Sequence, residues 1–391
     1  MLNRELETAF NELNEYIGDV FSGKQARVSA KKYLTGLLSP IERKNGWQLA
    51  ETLGETTPYT LQQFLYRGRF SADKLQNKLA TYVNEKLGDL DSVLVVDEIG
   101  FLKQGKRSCG VKRQYSSTAG RIENCQIGVF LTYASSKGYT PIDRRLYIPQ
   151  DWFDNPERCK KAGIPETVEF QTKPEMALEM IQNVTSVGVS YSWVTGDCVY
   201  GDYRNMRLWL EEQCRGYVFC ISGKEYLQEG DEKVLISSVL KRLDENSWFL
   251  ASCGDESKGA RVYDWQALDL GFSVVEGWRR CLLVRRSRSD GELRVYVCFA
   301  PVEVSVLKLV EVAGRRWTVE RCFLESKSLV GLDEYEVQSF SGWYKHVIFA
   351  CLAHALLAVI SNGSLDATVF AQHKVSCGSL SVFKKKRGLR G

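Results

Sequence analysis

The chain is poor in the residues on which many hydrolases and metalloproteins depend. Of 391 residues only three are histidines, and all three lie beyond residue 345, in or after an apolar stretch. There is no G-x-S-x-G and no P-loop, so serine- or cysteine-nucleophile chemistry and P-loop phosphate binding find no support. No two cysteines form a C-x-x-C pair, which argues against a structural zinc site of the common spacing. Twelve cysteines scattered over this length do not look like a disulfide framework and read as reduced thiols. Cys351 and His354 make one C-x-x-H inside an apolar helix, where core packing is the commoner role. No run of eighteen apolar residues occurs. The longest candidate, HVIFACLAHALLAVI (346–360), is too short to span a bilayer and carries two histidines. The N-terminus has no signal-peptide core and no internal repeat is visible. A cytoplasmic protein with no membrane partner is expected.

What is present is a soluble composition, 44% apolar and 26% charged, long enough for two or three domains. A net charge of +4 says little; its distribution says more. Six Lys/Arg stand against one acid between Lys24 and Lys44. Six more (Lys103, Lys106, Arg107, Lys112, Arg113, Arg121) carry no acid among them. Five arginines fall in 279–288, and the last eight residues, KKKRGLRG, add five basic groups. One such cluster is an ordinary solvated patch, whereas four in a near-neutral chain suggest a surface that tracks phosphates.

Residues 1–90 read as helical. In NGWQLAETLGETTPYTLQQFLYRGRF (45–70) a helix ends at Gly54. Thr57 is placed to cap a second helix, with Pro58 at its first position. The pair resembles a helix-turn-helix, with Arg67 and Arg69 at the end of the recognition helix, although any helical hairpin gives a similar pattern. A buried strand, DSVLVVDEIGF (91–101), follows and presents Asp97 at its C-terminal end; strands near 109–116 and 124–135 come next. A helix over 173–184, a buried strand in 189–202 ending at Asp197, a helix over 202–213 and a strand over 216–222 complete a mixed sheet with helices on its faces. Residues 223–300 are β-rich, with a hairpin at 281–299 turning on Asp290-Gly291. Helices resume at about 304 and at 339–360. The tail beyond Asn362 is basic and weakly patterned, the composition of a flexible end.

Asp97 and Asp197 sit at strand ends, where open α/β sheets place their sites. Two close carboxylates repel and attract a hard divalent cation such as Mg²⁺, which leaves positions for water and phosphate. In RRWTVERCFLESK (315–327), Arg316, Glu320 and Lys327 share one helical stripe, because steps of four and eleven return to within roughly 20–40°. By itself such a stripe is most often a surface ion-pair ladder.

These segments resemble a bacterial insertion-sequence transposase of the DDE superfamily. The likeness is carried by 37–51, 93–131 (VLVVDEIGFLKQGKRSCGVKRQYSSTAGRIENCQIGVFL), VTGDCVYGD (194–202) and 316–357. It implies an α/β fold: an RNase H-like mixed sheet core with a β-rich insertion, preceded by an all-α helix-turn-helix-like N-terminal domain. The implied division is 1–90 helical and DNA-binding, 91–222 first part of the core, 223–303 insertion, 304–362 C-terminal core helices, and 363–391 tail. Asp97, Asp197 and Glu320 fall on the family's catalytic, metal-binding acids, with two Mg²⁺ ions expected and Mn²⁺ an acceptable substitute. Glu98 is second choice, because an alternating strand points it the other way. The branch's Tyr–Arg–Glu–Lys signature matches at Arg316, Glu320 and Lys327, implying DNA-phosphate contacts for Arg316 and Lys327. Its tyrosine position is Ala313, a departure. Lys103, Lys106, Arg107, Lys112 and Arg113 would add backbone contacts. Trp248, Trp265 and Trp278 are base-stacking candidates, each individually more typical of core packing.

The implied activity is cut-and-paste transposition: metal-dependent cleavage at element ends, then strand transfer into target DNA. The partners would be double-stranded DNA (terminal inverted repeats and target) and a second copy of the chain on that DNA. The location would be the bacterial cytoplasm, at the nucleoid when bound. A catalytically silent transposase-derived DNA-binding protein and a metal-dependent nuclease without transposition are the rival expectations.

Overall fold

A computed structural model of the chain describes residues 2–361, apart from 224–225, 230–231, 257–258 and 273–274. The expected basic tail, 363–391, lies outside the described residues. Along the chain run the helices α1 (Leu2–Tyr16), α2 (Lys24–Leu38), α3 (Gly46–Thr52), α4 (Tyr59–Arg67) and α5 (Ala72–Leu87). Strands β1 (Val93–Leu102), β2 (Lys112–Ser116), β3 (Arg121–Ser135) and β4 (Gly138–Tyr147) follow. Then come α6 (Gln150–Phe153), α7 (Pro156–Ala162), α8 (Lys173–Ser186), β5 (Trp193–Gly196), α9 (Cys198–Gly201), α10 (Arg204–Glu212) and β6 (Gly216–Ile221). The β-rich segment holds β7 (Tyr226–Glu229), β8 (Glu232–Leu235), α11 (Ile236–Val239), β9 (Phe249–Glu256), β10 (Gly259–Phe272), β11 (Trp278–Arg286) and β12 (Leu293–Pro301). Helices α12 (Val306–Val330) and α13 (Phe340–Ser361) end the described chain.

Two compact units emerge: Met1–Leu79 with Leu324–Gly391, and Ala80–Phe323. In the second, ten strands form one sheet in the order β2-β3-β1-β5-β6-β12-β11-β10-β9, with β4 also paired to β3. Strand β3 pairs antiparallel with both β1 and β4, and β5 and β6 run parallel to β1. That is the RNase H-like arrangement expected from the resemblance. Strand β12 pairs antiparallel with β6, so the β-rich segment extends the core sheet by edge addition. Strand β4 was not foreseen. Its sequence, GYTPIDRRLY, contains Pro141 and three charged residues, which read as loop. Pro141 is tolerated because β4 is an edge strand with a register shift opposite Leu131/Thr132. Asp143 is buried yet satisfied, accepting from Arg145 Nη1 at 2.8 Å and Asn183 Nδ2 at 3.2 Å.

One face of this sheet (Val95, Trp193, Val218, Leu283, Tyr296, Cys298) packs against Leu309, Val310, Val312, Ala313 and Val319 of α12. The buried positions recur every three to four residues, as a helix lying on a sheet requires. Gly314 lets the helix settle: a Cβ there would stand 1.7 Å from the carbonyl oxygen of Cys253 on β9. Ala313, the signature's missing tyrosine, is packed in this core, where a phenol ring would have no room without displacing neighbours. On the opposite face Tyr217 and Phe299 stack with centroids 5.8 Å apart. Tyr217 there donates from its hydroxyl to Glu211 of α10 at 2.7 Å.

The unit made of the chain's two ends is helical. Tyr33, Phe64, Phe70 and Phe349 form an aromatic cluster with centroids 5.0–6.0 Å apart. The Tyr33 hydroxyl meets His346 Nδ1 at 2.8 Å, while the other ring nitrogen meets the Gly331 carbonyl at 3.1 Å. Helices α3 and α4 lie where the helix-turn-helix was expected, and Gly54 takes the left-handed conformation (φ +72°) that ends α3. The capping differs from expectation. Pro58, not Thr57, is the N-cap of α4, and no side chain caps it. Asn45 caps α3, accepting from Trp47 N and Gln48 N. Helix α13 is longer than its quoted apolar stretch. At 22 residues it has the length and composition to cross a membrane, but 78% of its most apolar part is buried inside the protein, as in a core helix. Cys351 and His354 are buried in it, and no group of three or more metal-ligating side chains forms among the described residues.

Candidate active site

Asp97 is not at the end of its strand, as the sequence suggested; β1 runs on to Leu102. What brings the two aspartates together is the parallel pairing of β1 with β5, whose last register pair is Val96 with Gly196. Asp97, still within β1, and Asp197, just past the end of β5, are each the next residue, so adjacent strands carry them side by side. Asp197 also begins α9, its Oδ1 accepting from Val199 N at 2.9 Å. Asp97 Oδ1 likewise accepts from the backbone, from Glu98 N at 2.8 Å. Each aspartate thus spends one oxygen on its own backbone. Gly201, the last residue of α9, lets that helix lie close on β6, since a Cβ there would stand 1.9 Å from the Cys220 carbonyl oxygen.

The electrostatics describe carboxylates in want of a counter-charge. Burial pushes the Asp97 carboxyl up to about 7; Arg316 opposes that and the nearby Asp197 adds to it. Asp197 is likewise raised, by burial and then by Glu98, with Arg316 again opposing. Burial in low dielectric and like charge both disfavour the ionised form.

Helix α12 supplies the remaining groups. Arg316 Nη2 lies 3.8 Å from Asp97 Oδ2, and its Nη1 lies 3.9 Å from Glu320 Oε1. Glu320 is mostly exposed and joins the aspartates only through Arg316. Lys327 is about two turns further along the helix. Burial lowers its pKa, against the pull of Asp333. The oxygen donors of Asp97 and Asp197, starved of positive charge, suit a hard divalent cation, with Glu320 one helical turn beyond the arginine now between them. Glu98 has partners of its own, its Oε1 accepting from Lys173 Nζ at 2.7 Å and its Oε2 from the buried Tyr200 hydroxyl, while its charge still reaches Asp197. Neither partner was singled out from sequence. Tyr200 stands three residues after Asp197 in the quoted VTGDCVYGD, so the signal was spacing alone.

The basic residues fare unevenly. Lys106, Arg107, Lys112 and Arg113 are exposed on the β1–β2 loop and the edge strand β2, with Lys112 Nζ 3.1 Å from Asp151; Lys103 is half-buried. Arg67 and Arg69 are exposed at the end of α4. Four of the five arginines in 279–288, by contrast, are half-buried. Arg279 donates to the Val304 carbonyl at 2.6 Å, Arg280 is bound to Glu211, and Arg286 meets Glu245 at 2.9 Å. Arg288 is left exposed, its Nε 4.0 Å from Asp264. Trp265 is fully buried in the sheet core, its Nε1 donating to the Ala251 carbonyl at 3.3 Å, and cannot stack on a base. Trp278 already stacks on Phe299, with centroids 4.6 Å apart, and the Arg286 guanidinium covers Trp248 at 4.1 Å. A stack the sequence reading passed over lies on the acid-bearing helix. Trp317 is parallel to Tyr263 (6.4 Å, 12°), with Arg261 4.5 Å and Arg285 5.4 Å from its ring centre.

Comparisons with known proteins point the same way. A sequence profile described as DDE superfamily endonuclease matches residues 17–242, a span that includes Asp97 and Asp197 and stops short of Glu320. The chain is 28% identical over 202 residues to a curated protein of Microchaete diplosiphon described as a probable transposase for insertion sequence element IS701. The alignment covers 51% of this chain and 50% of that relative, so the chain spans about half the length of the protein it matches. Among solved structures, a piggyBac transposase synaptic complex with hairpin DNA aligns at a TM-score of 0.42 and 10% identity. That alignment covers 99% of this chain and 80% of the other, a likeness too slight to argue from.

Proposed function

The chain belongs to the DDE superfamily endonucleases, a family that implies dependence on a divalent metal, and on that premise we propose that it is a cut-and-paste DNA transposase of the insertion-sequence type. The observation that carries the reading is the placement of Asp97 and Asp197 one residue past the last β1–β5 pair, with Arg316 of α12 beside Asp97 and Glu320 beside Arg316. Asp97, Asp197 and Glu320 would hold two Mg²⁺ ions. Bound there, the ions would supply Lewis-acid polarisation of the attacking and leaving oxygens of an in-line phosphoryl displacement. The chain's own contribution is positioning. The backbone bonds to each Oδ1 fix the aspartates, and the packing of α12 on the sheet fixes Glu320 relative to them. Arg316 and Lys327 would hold DNA phosphates beside the cut. Residues 24–78, with Arg67 and Arg69, would recognise the terminal inverted repeats. The exposed Lys106, Arg107, Lys112 and Arg113 would follow the backbone, making affinity fall steeply with salt. Two element ends must be held at once, so the acting form would be at least a dimer on DNA.

The test places the gene with its native flanks on a plasmid and scores excision and reinsertion for the wild type and Asp197→Asn. Asparagine keeps the cap on α9 and removes the charge. Loss of both events with normal melting supports the reading. Cleavage that survives the substitution refutes the metal site, cleavage without reinsertion indicates a nuclease, and DNA binding with no movement by the wild type indicates a silent descendant.

A further inference from the structure

Arg316 stands among the acids, yet nothing grips it. Its ion pairs to Asp97 and Glu320, at 3.8 and 3.9 Å, exceed hydrogen-bond length. Its Nε is buried with no hydrogen-bond partner. Arg279 of the same unit shares the unpartnered Nε but donates from Nη2 to the Val304 carbonyl at 2.6 Å. Two others are seated on carboxylates: Arg280 Nε meets Glu211 at 2.9 Å, and Arg145 Nη1 meets Asp143 at 2.8 Å. A guanidinium offers five donors in a rigid fork and normally seats them bidentately on a nearby carboxylate. Arg316 instead contributes its charge, at nearly equal distance from two carboxylates on different elements. That is how a cation behaves when it balances a cluster without bonding to any one member.

We propose that Arg316 is an internal counter-ion that stands in for the divalent cation: in the metal-free enzyme it neutralises Asp97, Asp197 and Glu320, and once a divalent cation is bound it is released to grip a DNA phosphate. This rests on the metal-site reading above and adds to it an exclusive choice for one side chain. A cation held by these acids would compete with the guanidinium for the same carboxylates, Asp97 and Glu320. Metal loading and phosphate binding are therefore coupled, and by linkage each strengthens the other. A phosphate clamp fixed in place would have no such dependence. The device also keeps two buried aspartates from repelling one another before the metal arrives, a state that otherwise destabilises the sheet at the β1–β5 junction.

The experiment uses the full chain without DNA. Thermal unfolding in EDTA and in saturating Mn²⁺, with calorimetric Mn²⁺ titration, is run on the wild type, Arg316→Ala, Arg316→Gln and Arg316→Lys. In EDTA the neutral variants should melt below the wild type, and in Mn²⁺ the difference should close. Their Mn²⁺ affinity should rise roughly tenfold or more, as expected for removing a competing charge a few ångströms away, with Arg316→Lys between. A second arm measures binding of a duplex from the flanking DNA by anisotropy. Arg316→Gln should lose severalfold more affinity in Ca²⁺, which fills the site without supporting cleavage, than in EDTA. If the wild type binds Mn²⁺ and the neutral variants bind it no tighter, or melt below it equally with and without Mn²⁺, this proposal falls and the metal site stands. If the wild type binds no Mn²⁺, both fall together.

Discussion

The sheet of the Ala80–Phe323 unit carries an ionic cluster on each face, and the two are built on opposite principles. On the α10 face Glu211 is saturated. Tyr217 donates to it at 2.7 Å, Arg280 Nε at 2.9 Å, and the Arg280 Nη2 contact is shorter still. Burial and the bonded Glu211 together push the Tyr217 hydroxyl well above its ordinary range, and the bond to Glu211, outweighing burial, raises Arg280. On the α12 face Asp97 and Asp197 have one oxygen each tied to the backbone and an arginine at arm's length. The first cluster is finished and the second is not. A buried pair that satisfies every lone pair fixes an arrangement. A pair left short of donors keeps an appetite for a ligand, which is how perturbed titrating groups come to mark sites.

The comparison can be broken most sharply at its unfinished member. Asp197→Asn should reduce DNA cleavage by at least about a hundredfold, the scale of losing a preorganised electrostatic group. Its melting temperature should be equal to or above that of the wild type without metal, because a repelling charge is gone. The finished cluster should respond the other way round. Glu211→Ala strands a buried guanidinium and should cost about 3–5 kcal/mol of folding stability, read by denaturant unfolding. Any surviving folded fraction should cleave DNA normally per molecule. Gly314→Ala tests whether α12 must lie on β9 for the acids to meet. Its Cβ would clash with backbone, so a loss of about 1–3 kcal/mol is expected, together with weakened Mn²⁺ binding as Glu320 and Arg316 move. The Trp317 stack is a milder support. Arg285→Met, which keeps the stem and removes the cation from above Tyr263 (4.3 Å), should cost about 0.5–2 kcal/mol. The smallest effect belongs to the surface: Lys106→Ala should weaken DNA binding only slightly, by the same factor on any sequence, and lower the salt slope by about one.

Much of this was legible in the chain itself, and the residues show why. The buried strands at 93–96 and 193–196 announce themselves as apolar runs. The β11–β12 hairpin declares its turn at Asp290-Gly291, where Gly291 takes φ +72°. The stripe of Arg316 and Glu320 follows from helical periodicity. Strand β4 escaped because Asp143 and its arginines find their partners in Asn183 and Glu179 of α8, far along the sequence. The partner of Arg280 was hidden for the same reason: a basic run looks alike whether it faces solvent or, like Arg280, a glutamate 69 positions away. Trp265 and Trp317 are equally aromatic in sequence, and only packing makes one a core residue and the other part of a cationic stack.

The sequence by itself marked most of the elements, because local periodicity and residue chemistry are properties of a short stretch, and through its family resemblance it offered three acids and an arginine as candidates. Tertiary structure alone decided that the β1–β5 register stops at Val96 and Gly196, which sets two aspartates 100 positions apart side by side. It also decided that Arg316 stands between Asp97 and Glu320 without bonding tightly to either. Coulomb interactions depend on distance through space, and no spacing along a chain specifies that until the sheet has formed and α12 has settled on it.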